Sequence, residues 1–312
     1  MKSLSNKLSL LKEPGKAIIS GGVFSLTLIA TLEAESLTPE TGQLPPVLAE
    51  LRDASPDRIL IAAHRGGYEN DKADKAPENS VANLVNLHQK GYELYETDIQ
   101  RTRDGHFVIV HDPTIDRETS GTGTVSEMTL KELKSFRKRF RDGTESEQTI
   151  ATLDEFLVRG KGLTLFKADL KPGVSKYFAD LMALVAEHDA LNGIIFRVPY
   201  YEANLFGKYR DEGGVIAQHT LMFKVTTKDQ VNDIKERFES TTIEVKLNKS
   251  DPVNAKSLEL IEYARKKGFI VETHAEGNAG DWATLINAGV RIFHTSRPST
   301  MKAFLETRAN TP

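Results

Sequence analysis

Cysteine is absent from the 312 residues. That absence excludes disulfides, thiolate zinc ligands, a cysteine nucleophile and a lipid-modified N-terminal cysteine. It leaves the compartment open, because a chain without cysteine suits either side of a membrane. An excess of positive charge is also missing: 41 Lys and Arg against 44 Asp and Glu give a formal net charge of −3. The two signs are mixed and no basic stripe tracks a nucleic-acid backbone, so nucleic acid is not an expected partner. No dinucleotide fingerprint follows the first β-rich run, since "HRGG" (64–67) lacks its glycine spacing. The apolar run "AIISGGVFSLTLIAT" (17–31) is short of the roughly 20 residues that a spanning helix needs.

That run has a recognisable order around it. Lys2, Lys7, Lys12 and Lys16 precede it and small residues such as Ala34 follow, as in a secretory signal peptide with cleavage near Ala34. The chain is expected to be exported, to a periplasm or the exterior, with a single N-terminal membrane anchor as the alternative. Residues 35–57 are polar and carry proline, which reads as a linker holding one short helix.

From Arg58 onward, short β-branched runs alternate with longer amphipathic stretches, the rhythm of repeated βα units. The strands fall at 58–64, 92–99, 162–171, 193–198, 215–225, 241–247, 268–275 and 290–296. Helical stretches such as "ENSVANLVNLHQKG", "SKYFADLMALVAEHD" and "AKSLELIEYARKKG" lie between them, several ending on glycine where a helix C-cap falls. Eight βα units over 58–312 predict an α/β (β/α)8 TIM barrel with its function at the C-terminal ends of the strands. A doubly wound open sheet is the competitor. Residues 103–150 break the repeat, with a hairpin turn at Asp104-Gly105, the return strand "HFVIV", a helix "TLKELKSF" and a charged loop. They read as an insertion between the second and third βα units, and long insertions at that face are usually functional.

Alternate residues of a strand face one side, so Glu96 and Asp98 point together. At the end of a barrel strand they repel each other unless a cation lies between them, and clustered oxygens suit Ca2+ or Mg2+. An exposed edge strand with two solvated acids is the bland alternative. "FKADLK" repeats the pattern: Lys167, Asp169 and Lys171 share a face, and charges facing inward are costly without partners. Asp169 as a third ligand, with Lys171 near an anionic substrate, accounts for them together; a structural ion-pair network is the other reading. His64 ends the first strand and His111 the hairpin strand, and two histidines beside a metal can divide proton removal and delivery. Arg65 adds a fork-shaped donor for phosphate oxygens. "APENS" (76–80) opens a helix with Asn79 or Ser80 as its N-cap, aiming free N–H groups at the same mouth.

Taken jointly and in order, "HRGG…PENS", "YETDIQRTRDGHFVIVHDPTIDRETSGTG", "TL-EL" and "LTLFKADLKP" resemble the motifs of the glycerophosphodiester phosphodiesterase family over about residues 59–172. The resemblance implies a barrel with a small inserted domain, a bound Ca2+ or Mg2+, two catalytic histidines and three carboxylate ligands. Position by position it implies His64 and His111 as acid and base, Glu96, Asp98 and Asp169 as ligands, and Arg65 and Lys171 at the phosphate. The chain departs from the family's usual glutamate at Asp169, and from its late strand ends with "VETHA" (271–275) and "HTSRP" (294–298). The aromatic that would pack on glycerol is missing there, and Trp282 falls on a helix.

Alternation on the later strands puts Arg197, Glu244 with Lys246, and Glu272 with His274 on faces opposite apolar ones. If those faces line the mouth, Lys246 and His274 contact a head group richer in hydroxyls or phosphate than a choline ester, such as an inositol or sugar phosphate. Salt bridges that fill the barrel are the alternative. The expected function is metal-dependent hydrolysis of a small phosphodiester to an alcohol and a phosphomonoester. The competitors are a phospholipase D-like lipid phosphodiesterase that forms a cyclic phosphate, and an inactive phosphate- or polyol-binding barrel. "SFRKRFRDGTESEQT" (135–149) is charged rather than apolar; this favours a soluble substrate, while its basic start suits peripheral contact with anionic lipid.

Overall fold

The computed structural model describes residues 45–53 and 58–309. The export signal read at 1–34 lies outside them, and among the described residues no helix is long and apolar enough to cross a membrane. Eight parallel strands follow in chain order: β1 (Leu60–Ala63), β2 (Leu94–Arg101), β3 (Leu165–Leu170), β4 (Ile194–Pro199), β5 (Leu221–Val225), β6 (Thr242–Val245), β7 (Ile270–His274) and β8 (Val290–Thr295). Each pairs with its sequence neighbour and β8 pairs back onto β1, closing the (β/α)8 barrel that the βα rhythm predicts. β5 starts later than its β-branched run suggested. Ala217 to Thr220 form a turn instead, closed by the Thr220 N–H on Ala217 O at 2.9 Å and the Ala217 N–H on Thr220 Oγ1 at 3.0 Å.

Alternation decides what faces where. The outward residues of the strands, such as Tyr95, Ile99, Phe166, Ala168, Phe196 and Phe223, join the helices in one apolar shell. The inward residues divide by height. At the N-terminal end Leu60, Ala62, Leu94, Leu165, Ile195, Met222, Ile270 and Ile292 form a small inner core. One or two steps further along the same strands the inward positions become Glu96, Asp98, Lys167, Asp169, Arg197, Glu244, Glu272 and His294, all but Arg197 nearly or fully buried. The barrel is thus apolar at its base and charged at its mouth, the end where TIM-barrel chemistry sits.

The base is plugged by a helix, Pro46–Asp53, whose Leu48 and Leu51 join that inner core. Part of the stretch read as a linker therefore belongs to the barrel: "PVLAEL" presents its leucines three apart, on one helical face.

Between β2 and β3 the chain leaves the repeat. Phe107–Ile109 returns antiparallel on β2, with Val108 opposite Gln100. A one-turn helix, Leu130–Leu133, follows, closed by a capping box of Thr129 and Glu132. The segment read as a charged loop is a hairpin, Arg137–Arg139 paired with Glu145–Thr149. Its alternation is hidden in one residue class: in "RKR" Arg137 is exposed and Arg139 half-buried, while Lys138 between them is fully buried against Glu118 at 3.1 Å. Val108, Val110, Ile115, Val125, Leu133 and Ile150 give the insertion a small core of its own.

Truncating Leu48 to alanine is expected to cost about 2–5 kcal/mol in chemical denaturation, the range for a fully buried leucine. A loss below about 0.5 kcal/mol, typical of a surface change, would show that the helix does not seal the barrel.

Candidate active site at the barrel mouth

Parallel register sets the centre of the site. Asp98 on β2 lies opposite Asp169 on β3, Glu96 lies opposite Lys167, and Asp169 in turn lies opposite Arg197 on β4. Carboxylate oxygens of Glu96, Asp98 and Asp169 come within 4.8 Å of one another, all three side chains buried. Among the described residues Glu96 Oε1 and Asp169 Oδ1 have no hydrogen-bond partner. Burial first, then the charges of Asp98 and Asp169, push the Glu96 carboxyl well above its ordinary range. Burial acts the same way on Asp169, but Arg197, Lys167 and Lys171 outweigh it and hold that carboxyl low. Three converging buried carboxylates with free lone pairs are a hard-oxygen donor set that fits a divalent cation.

The surrounding cations are built in. Lys171 Nζ is 2.6 Å from Asp98 Oδ1, and Asn79 donates to Asp98 Oδ2 at 2.8 Å. Arg197 is 3.2 Å from Asp169 and 2.5 Å from Glu244, which Lys224 also meets at 2.8 Å. Lys167, fully buried, is 2.7 Å from Glu272, 3.7 Å from Asp169 and 3.2 Å from His294 Nδ1. Burial and the neighbouring Glu244 and Asp169 push Glu272 up to about 7 even against Lys167.

His64 leaves β1 in a single 3-10 turn, His64–Gly66. The turn forces Arg65 into left-handed backbone at φ 53°, a conformation that costs a non-glycine residue and persists only when over-determined. Three bonds do so: the Arg65 N–H donates to Glu96 Oε2 at 2.8 Å, and its carbonyl accepts from the Asn79 N–H at 2.9 Å and Tyr95 OH at 3.3 Å. Gly66 follows at φ 85°, and a Cβ there would overlap Asn83 and Tyr95; only glycine fits. The Arg65 guanidinium pairs with Glu78 at 3.0 Å and lies 3.7 Å from Asp98. Of the two N-cap candidates, Ser80 caps the helix Val81–Gln89, leaving Asn79 to hold Asp98.

His64 and His111 face each other with ring centroids 6.5 Å apart. Burial, then Arg65, His274, Lys167 and His111, depress the His64 pKa well below the ordinary imidazole value. The His111 ring hydrogen-bonds through Nδ1 to Asp112 at 2.6 Å, and its backbone N–H donates to Glu118 at 2.9 Å. Burial would raise Asp112, but Arg117 and His111 bring it down to about 2.

His274 also reaches the site, on β7, where parallel register sets it beside His294 of β8 with the rings stacked at 4.3 Å. Lys246 does not join the cluster in the contacts described: it lies just past β6, its backbone N–H bonded to Val225 O and its side chain exposed. Glu244 and Glu272 are buried and paired inside the barrel, with the part-buried Arg197 bridging Glu244 and Asp169, so salt bridges within the barrel account for these three. The expectation of a pocket charged on nearly every side is corrected to that extent. Trp282 lies buried on the helix Ala279–Ala288. Sequence reasoning missed His294, whose Nε2 is 3.3 Å from Glu96, although the alternation Ile292, His294 on β8 carries the signal. It also missed Glu78, Glu276 and Ser296, which lie in loops beyond any periodic pattern.

The arrangement matches known proteins. The model of the Glycerophosphoryl diester phosphodiesterase family matches residues 64–300. A glycerophosphodiester phosphodiesterase of Caldanaerobacter subterraneus is 35% identical over 122 residues, 38% of this chain and 48% of that protein. The chain thus spans about half of that relative's length. One from Bacillus subtilis is 26% identical over 276 residues, 78% of this chain and 85% of that protein. Among solved structures, a glycerophosphoryl diester phosphodiesterase from Parabacteroides distasonis superposes with a TM-score of 0.69 at 24% identity, covering 85% of this chain and 93% of that one. A phosphodiesterase from Oleispira antarctica, solved with the product sn-glycerol-3-phosphate, gives 0.63 at 19% identity, covering 79% and 96%. With the match running from the first site histidine to beyond β8, the chain belongs to the glycerophosphoryl diester phosphodiesterase family.

Proposed function

We propose that the chain hydrolyses a glycerophosphodiester-type substrate in a metal-dependent reaction, releasing an alcohol and leaving a phosphomonoester. The observation that carries the reading is the placement of two histidines 6.5 Å apart at a mouth whose three buried carboxylates fit a divalent cation. Glu96, Asp98 and Asp169 hold that cation, Ca2+ or Mg2+, which when bound neutralises charge on phosphoryl oxygens. The Oleispira protein's glycerol phosphate product supports glycerol phosphate as the product here too.

The chain's own residues divide the proton work. His64, kept neutral by burial and by cationic neighbours, takes the proton from the nucleophile. Asp112 is ionised and cannot donate, so the hydrogen in its bond to His111 lies on Nδ1. To deliver a proton to the leaving oxygen His111 therefore has to enter the reaction doubly protonated, giving up the Nε2 proton while Nδ1–H stays on Asp112. Arg65 and Lys171, already anchored on Asp98, turn remaining N–H donors to the phosphate. His274 stands at the edge of the site as a further contact for the head group.

Incubation of the full chain with glycerophosphocholine, glycerophosphoinositol, lysophosphatidylcholine and sphingomyelin, followed by phosphorus NMR, tests the reading. The expected product is an open phosphomonoester; a cyclic phosphate would move the assignment to the lipid phosphodiesterase route. His64→Ala and His111→Ala are each expected to lose on the order of 100- to 10,000-fold in kcat, the usual weight of a general acid or base. Wild-type turnover surviving either change would remove that histidine from the mechanism.

Chelation is expected to abolish turnover, and added Ca2+ or Mg2+ to restore it. The same cation should raise Tm, by about 2.7 kcal/mol of stabilisation at a hundredfold excess over its Kd, and Asp169→Asn should lose that rise. Full activity in chelator would sink the metal assignment.

A further inference from the structure

The mouth holds a second set of hydrogen bonds that the acid and base do not by themselves explain. Ser296, just past β8, is 8% exposed. Its Oγ is 3.0 Å from His64 Nδ1, 2.7 Å from Tyr68 OH and 2.7 Å from Glu276 Oε1. Glu276 Oε1 also accepts the Ser296 backbone N–H at 2.8 Å and His274 Nε2 at 3.0 Å. Burial works against the charge on Glu276, but the bonds from His274 and Ser296 hold its carboxyl down to about 2. It is an ionised acceptor with no proton to give.

Counting hydrogens leaves one arrangement. A serine hydroxyl has one donor and two lone pairs. The 2.7 Å contact with an ionised carboxylate takes the donor, so Ser296 Oγ must accept from both Tyr68 OH and His64. The hydrogen between His64 and Ser296 then lies on Nδ1, and His64 Nε2 carries the free lone pair. We propose that Glu276 and Ser296, with Tyr68, are positioning residues that fix His64 in the tautomer able to accept a proton through Nε2. This inference rests on the reading of His64 as the base and deepens it.

The device differs from the one at His111, where the carboxylate touches the ring directly at 2.6 Å. At His64 the serine stands between ring and carboxylate, and Glu276 stays 4.0 Å from Nδ1. The intervening hydroxyl orients the ring while keeping the carboxylate from stabilising imidazolium at full strength. The other charged and titratable groups facing His64 are Tyr68, Arg65 and Lys167 and the imidazoles of His111, His274 and His294; of these Arg65, His274, Lys167 and His111 disfavour the charged ring. Glu276 is the opposing influence.

The relay is also tied to the insertion. The Arg141 guanidinium lies over the Tyr68 ring at 3.9 Å, and the Arg141 backbone N–H donates to Asp71 at 3.2 Å. The hairpin that follows His111 in the chain thus packs on the tyrosine that completes the bonding around Ser296.

The test is nitrogen NMR of histidine-labelled full-length chain, with the His64 signals assigned by their loss in His64→Gln. At neutral pH the expected wild-type pattern is a protonated Nδ1 and an unprotonated Nε2. In Ser296→Ala the two nitrogens should move toward averaged shifts, and kcat should fall about 10- to 100-fold, as on removing a second-layer orienting group, with KM little changed. Ser296→Thr, which keeps the hydroxyl, should restore both readouts. Glu276→Gln, whose amide can donate to Ser296 as well as accept from it, should also let the two nitrogens move toward averaged shifts, and should move the acidic limb of the kcat/KM profile to lower pH because the carboxylate 4.0 Å from Nδ1 is gone. Wild-type His64 protonated on Nε2, or Ser296→Ala with unchanged shifts and rate, would overturn the proposal. The expected tautomer in a chain that turns over no diester would leave the relay standing and remove the enzymatic reading instead.

Discussion

Asp98 and Asp169 occupy opposed positions on neighbouring parallel strands, and the pleat turns both side chains into the barrel. With Glu96 their oxygens converge within 4.8 Å. At that distance two full charges repel by about 3.5 kcal/mol even at an effective dielectric of about 20. The backbone cannot relieve this: moving either strand by one residue would turn its whole apolar face out of the shell formed with the helices. What can respond is the set of groups around the acids. Lys171 and Asn79 close on Asp98 and Arg197 on Asp169. The amide of Arg65, held in an unfavourable backbone conformation, closes on Glu96. The oxygens left over point at one another. A scaffold that only had to fold would have no reason to keep them, since a fully satisfied polar network or an apolar core costs less.

The same accounting explains why the later strands disappoint as a substrate pocket. Buried ions are costly singly and tolerable when paired, and β4, β5, β6 and β7 bring their charges at matching heights. Arg197 and Lys224 share Glu244, and Lys167 takes Glu272. Each pair uses up the group that a head group would otherwise contact. What stays exposed or half-exposed at the rim is His274 and the stack of Arg141 on Tyr68.

Periodicity made most of this legible. The eight strands, the inward face of "YETDIQ" and of "FKADLK", and the hairpin at Asp104-Gly105 all follow from a period of two and a turn signal, and apart from the late start of β5 they stand close to where the sequence puts them. Three kinds of feature did not show. Lys138 is buried in a run of basic residues, where a hydropathy pattern reads a solvated loop; only its partner Glu118, far away in sequence, reveals it. His294 obeys the alternation of its strand but lacks a neighbour in sequence that marks it as chemical. Glu276 and Ser296 follow strand ends in irregular backbone, where identity says nothing about direction. Their meeting with His64, more than 200 residues away in the chain, is a product of barrel closure between β8 and β1.

His111 is the group whose position asks most of the fold, because it lies on the insertion and not on a barrel strand. Glu118 answers that need. It accepts the backbone N–H groups of both His111 and Asp112, at 2.9 and 3.1 Å, and pairs with Lys138 and Arg117. Arg117 reaches on to Asp112 and to Glu78, and Glu78 holds Arg65 and Arg141 as well. A fully buried Lys138 and Glu118 pair adds little net stability, since well-packed apolar residues could replace it. What apolar residues could not do is hold two backbone N–H groups and an arginine in fixed directions. The charge in the insertion is better understood as register than as stability: it ties the loop carrying His111 to the arginine that follows His64, and so fixes the spacing of the two rings across the mouth.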